Sequence, residues 1–429
     1  GGVSKLDPLT NAIENFNVNN VRLTNDNIHG LLPLNDKIIL GTFVYGMDIL
    51  DYKSKKVVYH VEQNIKANST LKSNFIYDIH KNRKGEILLA STRGHYKFDI
   101  HSKSFETIQQ VPTDMSYTTL LEDRQGNIWL GTWLNGIYMY HPDKTQALHF
   151  NHRAENENSL PNNKINCLYE NRKGQIWVGT EGGIAIIDKN GSGNFEVRHM
   201  NLDLPSKIVL AILEDKQQNL WISTSKGMVR YNPANHTLRL FNMESGLPSI
   251  QFNYNSALDD GQGQFYFGTI NGMIRFEPEK LNQIKYNAHT PIYITKLAVN
   301  NKEILQHDNR SILSKSILFT DEIELKYDES SFSLDFTALL YDSPHSIKYS
   351  YKLDGVNKDW VSSTTEKRAH FTKLLPGTYE FLVKADDPNG HPLSHVRKLK
   401  IKILPPLWAT IPAFILYFTI IIGLIIFII

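Results

Sequence analysis

The residues best placed for chemistry in this 429-residue sequence follow a recurring Gly-Thr or Ser-Thr pair. They are Phe43, Tyr45, Arg93, His95, Trp133, Asn135, Glu181, Lys226 and Asn271. Trp133 stands where other copies of the pattern carry Glu, Ser or Ile. An exposed tryptophan there offers a flat amphipathic face on which a sugar ring can stack; the other reading is local packing. Arg93, His95 and Lys226 read as ligand contacts or as solvated loop groups. The acidic pairs Glu122-Asp123, Glu214-Asp215 and Asp259-Asp260 recur at one turn, which points to turn chemistry, since a catalytic pair would occur once.

The motifs of common enzymes are absent. There is no Gly-x-Ser-x-Gly, His-Glu-x-x-His, Walker loop, or Gly-x-Gly-x-x-Gly opening a helix. The single cysteine, Cys167, allows no intramolecular disulfide and no cysteine-based metal site. We expect no catalytic residue, no cofactor and no metal in this segment. Because some propellers are lyases or hydrolases, an enzyme acting on a polysaccharide stays open as an alternative, as does a non-catalytic interaction scaffold.

The elements that must position these residues form a repeat. An apolar run, a polar turn, a short apolar strand, Gly-Thr or Ser-Thr, then Gly and another strand recur roughly every 40–50 residues, marked by Thr42, Thr92, Thr132, Thr180, Thr224 and Thr269. That period with short strands predicts an all-β propeller of four-stranded blades. Residues 1–19 match the end of a further copy, so a seven-bladed ring with one incomplete blade is expected. Antiparallel strands put the Glu-Asp-x-x-Gly turns on one face. The loops after Gly-Thr and the connections between blades share the other, where a ligand mouth is expected.

The repeat stops near residue 285. Residues 286–404 read as short alternating strands of an immunoglobulin-like sandwich, with turn signals at Asp354-Gly355 and Pro376-Gly377. Leu407 to Ile429 contains no charge and is long enough to be read as a transmembrane helix, so residues 405–429 are expected to span a membrane. Pro405-Pro406 makes a stiff link before it. The run ends without a following Lys or Arg, which points to a segment of a longer protein. With 46 basic and 44 acidic residues, nothing favours nucleic acid as a partner.

The combination resembles a known family. The blades resemble the regulator-propeller repeat, with its Asp/Glu-x-x-Gly-x-Ile/Leu-Trp-x-Gly-Thr-x-x-Gly core. The sandwich resembles the triple-tyrosine domain through Phe336, Ala338, Tyr341, Tyr349, Tyr351, Leu353-Asp354-Gly355, Trp360, Leu375-Pro376-Gly377, Tyr379, Phe381, Val383 and Ala385. Together they resemble the periplasmic sensor region of a hybrid two-component system histidine kinase. The resemblance implies an oligosaccharide ligand, control of polysaccharide-utilisation genes and a homodimer formed through the sandwich and the membrane helix. It also implies residues 1–404 in the periplasm, an inner-membrane span, and kinase, receiver and DNA-binding domains beyond it. Family members usually carry two seven-bladed propellers, and this chain resembles the second.

Overall fold

The computed structural model describes residues 1–63, 71–156, 158–282, 290–306, 312–339, 347–363, 367–387, 392–393 and 395–428. The chain divides into two units, Gly1–Asn282 and Gln283–Ile429. Among the described residues, the first unit has five four-stranded sheets, one of three strands and one of two, all antiparallel between sequence neighbours.

The six repeats are blades one to six. Their inner strands are Ile28–Leu34, Ile76–Lys81, Tyr117–Glu122, Ile165–Glu170, Val209–Glu214 and Phe252–Asp259. These pack side by side in chain order. The N-terminal strands Val3–Leu6 and Ile13–Phe16 pair with each other. The short apolar strands form because β-branched and aromatic residues pack well on a pleated surface. Both faces of a blade are covered by its neighbours, so second strands such as Ile128–Thr132 and Leu220–Thr224 are buried throughout.

One bond repeats in every blade. The marker hydroxyl donates to the carbonyl of the glycine that opens the third strand: Thr42 to Gly46, Ser91 to Gly94, Thr132 to Gly136, Thr180 to Gly183, Thr224 to Gly227 and Thr269 to Gly272, at 2.8–2.9 Å. In blade two the marker is therefore Ser91, not Thr92. Ser91 faces Ile76 in register as Thr132 faces Tyr117.

The opposite face is held by the acidic turns, which have two roles. The second acid closes the turn. Asp123 accepts from the backbone of Gln125 and Asn127 and, at 2.8 Å, from the Trp129 indole. The first acid reaches the neighbouring blade, which a purely local turn role does not anticipate. Glu122 accepts the Arg83 amide at 2.9 Å, Glu170 that of Arg124 at 3.0 Å, and Glu214 that of Arg172 at 2.7 Å. Each arginine also donates its guanidinium to the carbonyl of the residue at its own position one blade on, at 2.7–2.9 Å. Blades two to five are clasped in this way. Blade six has Gly261 at the arginine position and the shorter Asp259 at the acid position. There Lys216 of blade five pairs instead with Glu279 of α1 (Pro278–Asn282), at 3.5 Å.

The second unit is a two-sheet sandwich. One sheet orders Lys302–Glu303, Ile292–Val299, Phe332–Ala338 and Arg368–Phe371. The other orders Glu322–Leu325, Arg397–Ile403, Gly377–Asp386, Lys348–Asp354 and Val361–Ser363. Side chains of both sheets, among them Leu334, Phe336, Tyr349, Phe381 and Leu399, form one core. The Tyr349 hydroxyl accepts the Ala338 amide at 3.0 Å, and Tyr379 donates to the Leu375 carbonyl at 2.9 Å. Tyr341 lies outside the described residues.

The expected span from Leu407 to Ile429 is not one helix. Leu407–Ala409 is a 3-10 turn, and α2 runs Ile411–Ile428. Proline at 406 and 412 sets this boundary, since the residue before a proline resists helical geometry while proline is tolerated in a first turn. The eighteen residues of α2 rise about 27 Å. Among the described residues, no helix is long and apolar enough to cross a membrane.

Blade four carries a defect. Asn171 replaces the turn aspartate, and among the described residues the buried Trp177 indole N–H has no hydrogen-bond partner, whereas Trp129 and Trp221 have theirs. Pairing Asn171→Asp with Gln175→Asn copies the blade-three turn. It should raise the unfolding free energy by about 1 kcal/mol, read from denaturant midpoints; an unchanged or lower midpoint would show that the indole is not the weak point.

Candidate functional site

The backbone builds the mouth the same way six times. The amide after each marker donates to the carbonyl just before the same blade's inner strand: Phe43 to Asn27, Thr92 to Phe75, Trp133 to Ser116, Glu181 to Lys164, Ser225 to Ile208 and Ile270 to Gln251. The hairpin loops and the connections between blades therefore share one face. Each inner strand of blades one to five also has a register shift near its start. The residues at the shift include His29, Tyr77, Thr118 and Asn166. In blades three and four they tie to the next inner strand, Thr118 Oγ1 to the Ile165 carbonyl and Asn166 Nδ2 to that of Val209, both at 3.0 Å.

On the side of blades one to three the mouth is aromatic. Phe75 meets Phe43 edge-on at 5.0 Å, Phe43 stacks on His29 at 5.0 Å, His29 meets Tyr77 at 5.6 Å, and Tyr77 stacks near Trp133 at 6.4 Å. Burial lowers the pKa of His29, which favours its neutral ring, and raises that of Tyr77 against the pull of Lys164.

Lys164 joins this row to the polar side. Its Nζ lies 4.3 Å from the Trp133 ring centre, 5.4 Å from that of Tyr254 and 2.9 Å from Glu181 Oε1. The Tyr254 hydroxyl donates to the same Glu181 oxygen at 3.3 Å. Trp133 is 42% exposed and Tyr254 57%. The cluster thus sets an open aromatic face beside an ammonium donor and a carboxylate acceptor. That combination suits a ligand with an apolar ring face and several hydroxyls. Among the described residues, no group of His, Cys, Asp or Glu is placed to hold a metal ion.

Of the residues chosen from sequence, the structure brings Trp133 and Glu181 together, through Lys164. Tyr45, Arg93, Asn135, Lys226 and Asn271 stay in their own hairpins. The backbone amide of each donates to its marker hydroxyl, a shared turn role beneath exposed side chains. His95 is not at the mouth. It is wholly buried, contacting Leu89 of its own blade and Tyr140 of blade three. The Leu89 carbonyl can only accept, so Nδ1 carries the proton and Nε2 accepts the Tyr140 hydroxyl. His95 begins its third strand, just after the opening Gly94, and so points into the space between blades. Sequence reasoning missed His29, Tyr77, Lys164 and Tyr254. Lys164 ends the connection before blade four and the others lie on inner strands, so comparing strand starts across copies would have flagged them.

Comparison with known proteins fits this architecture. A family model for the two component regulator propeller matches residues 111–134, 159–182 and 203–226, and one for the Y_Y_Y domain matches residues 340–404. The regulator-propeller matches fall at the mouth-side connections and hairpins of blades three to five, and the Y_Y_Y match covers the second half of the sandwich. It is 26% identical to histidine kinase P4 of Formosa agariphila, over 97% of this chain and 34% of that protein. The chain spans about a third of the length of this curated relative. Among solved structures, it is similar to an extracellular domain assigned to a hybrid two component system of B. thetaiotaomicron, with 23% identity and a TM-score of 0.49 over 90% of this chain and 56% of that one. It is also similar to virginiamycin B lyase of Staphylococcus aureus, with 12% identity and a TM-score of 0.43 over 60% of this chain and 85% of that one.

The position of His95 has a pH consequence. Burial lowers its pKa from 6.5 to about 4. The unfolded chain takes up this proton below pH 6.5, the folded protein only near 4. Stability should therefore fall across that window, by on the order of 3 kcal/mol in total. Urea midpoints at intervals from pH 7 to 4.5 should fall less steeply for His95→Gln than for the parent; equal slopes would show that His95 does not carry the effect.

Proposed function

We propose that this chain is the ligand-sensing and signal-coupling part of a membrane-bound hybrid two component sensor kinase, and that its ligand is an oligosaccharide. The order of propeller repeats and Y_Y_Y domain, and the likeness to a histidine kinase, support the sensor reading. The observation that carries the sugar reading is the Trp133–Lys164–Glu181–Tyr254 cluster, with the aromatic row of His29, Phe43 and Tyr77 beside it. Aromatic faces accept the C–H surface of a sugar ring. The ion pair supplies one donor and one acceptor for its hydroxyls, and Arg93 and Lys226 line the rim. On this reading the whole protein controls genes for polysaccharide use.

The remaining parts follow the same reading. Residues 1–285 sense, residues 286–404 couple and pair with a second copy, and residues 405–429 anchor the chain in the inner membrane. The first two parts then lie in the periplasm. The exposed apolar side chains of α2, among them Phe414, Ile415, Leu416 and Phe418, support a membrane contact. The turn at Leu407–Ala409, with exposed Trp408, extends the apolar length at the interface.

Calorimetric titration of the full chain against a panel of oligosaccharides tests the ligand. At least one should bind, and Trp133→Ala should weaken it about tenfold or more, the loss of a central aromatic contact. A panel without any binder would remove the sugar reading, and a Trp133→Ala variant that binds like the parent would move the site elsewhere.

A further inference from the structure

The inner strand of blade six departs from the other five. Its partner pairs Phe252 with Thr269 and Ala257 with Phe267, so Asn253–Ser256 lie opposite Gly268 alone. The other five inner strands each skip only one residue at this place. The extra length is exposed, and its side chains reach back to other blades. Tyr254 reaches Glu181 of blade four at the mouth. Asn255 reaches Asp78 of blade two and Thr119 of blade three, both on inner strands, across the channel. Gly268 makes room for the strap, because a Cβ there would lie 2.1 Å from Ser256 Oγ. Asn255 has φ 47°, a left-handed conformation that asparagine tolerates.

The contacts of Asn255 define a small polar subsite. Its Nδ2 lies 3.3 Å from Asp78 Oδ2 and 3.2 Å from Thr119 Oγ1. Asp78 is held by shorter bonds of its own. It accepts the Leu120 amide at 2.8 Å on Oδ2 and the Ile79 amide at 2.9 Å on Oδ1. Thr119 is buried. The two acceptors are therefore fixed by blades two and three, whatever blade six does. The amide approaching them makes two long bonds from a strap that its own sheet leaves unpaired over four residues. A fixed receptor and a loosely held occupant are the parts of a displaceable contact.

We propose that Asp78 and Thr119 form a binding subsite for a neutral group carrying two hydrogen-bond donors, a carboxamide or a pair of neighbouring hydroxyls. In the structure, the carboxamide of Asn255 occupies it. The strap Asn253–Ser256 joins blade six to blades two and three by offering its own side chain as ligand. A ligand that supplies the same donors displaces Asn255. Because Tyr254 belongs to the same strap, displacement also withdraws its hydroxyl from Glu181 and frees the Glu181–Lys164 pair beside Trp133. The inference requires no sugar at the mouth and stands apart from the proposed function.

The test uses the full chain, with acetamide as the small carboxamide and acetate as its isosteric anion without N–H donors. Asn255→Gly removes the occupant and suits the positive φ. It should bind acetamide in saturation-transfer NMR about tenfold or more tightly than the parent, where acetamide must first displace Asn255. Acetate should bind at least about tenfold more weakly, as expected for lost donors facing a carboxylate. Adding Asp78→Leu should abolish acetamide binding. Asn255→Asp keeps the shape, removes the donors and sets a carboxylate against Asp78. Hydrogen exchange of the Ile270 amide, which donates to the Gln251 carbonyl at the foot of the strap, should then speed up about tenfold or more, with residues 209–214 unchanged. Equal binding of acetamide and acetate, no binding to Asn255→Gly, or unchanged exchange in Asn255→Asp would each overturn the proposal.

Discussion

A blade can bury its two faces only against its neighbours, so every blade depends on being held at a fixed distance from the next. Two polar devices do this at opposite ends of the strands. At the mouth, the marker hydroxyl closes each hairpin onto its glycine carbonyl, and the glycine amide reaches the connection that enters the next blade, as Gly46 to Asn74, Gly94 to Met115, Gly136 to Asn163 and Gly227 to Ile250. At the other end, arginine and glutamate cross from blade to blade. The apolar side chains between, such as Trp129, Ile137 and Ile165, then pack at a spacing already set. Everything at the mouth inherits its position from these bonds. Trp133 projects where it does because Thr132 and Ser116 hold the backbone on either side of the turn.

Much of this was legible in the sequence because it is local and repeated. The copies announce the blades, and the polar turns announce their own hydrogen bonds. Apolar alternation marks sandwich strands at 292–299, 322–327, 331–337, 347–353, 377–385 and 396–403; it does not mark Lys302–Glu303, Val361–Ser363 and Arg368–Phe371, which are short and at sheet edges. The marker in blade two was misplaced by one residue, because Ser91-Thr92 offers two hydroxyls and only pairing to Ile76 selects the first. His95 was misread for the reason that governs every strand: one residue's displacement turns a side chain from solvent to interior.

The site itself was only half legible. Trp133 and Glu181 are set by their place in the repeat, so spacing found them. Their relation to Lys164 and Tyr254 is set by ring geometry, which brings together side chains from blades three, four and six. Such contacts leave no periodic trace. The same holds for Asp78, whose burial raises its pKa and whose partners come from blades three and six.

The arginine–glutamate clasps run from blade two to blade five and stop there. Beyond that point Lys216 and Arg239 of blade five hold α1 instead, through Glu279 and the Leu281 carbonyl. The ring is therefore uneven in stiffness. Four blades behave as one braced arc, and the helix on which the chain leaves the first unit is moored to the last braced blade. The blade carrying the long strap sits outside the bracing and is tied to α1 by the chain itself and by the apolar cluster that holds Phe252, Phe267 and Leu281.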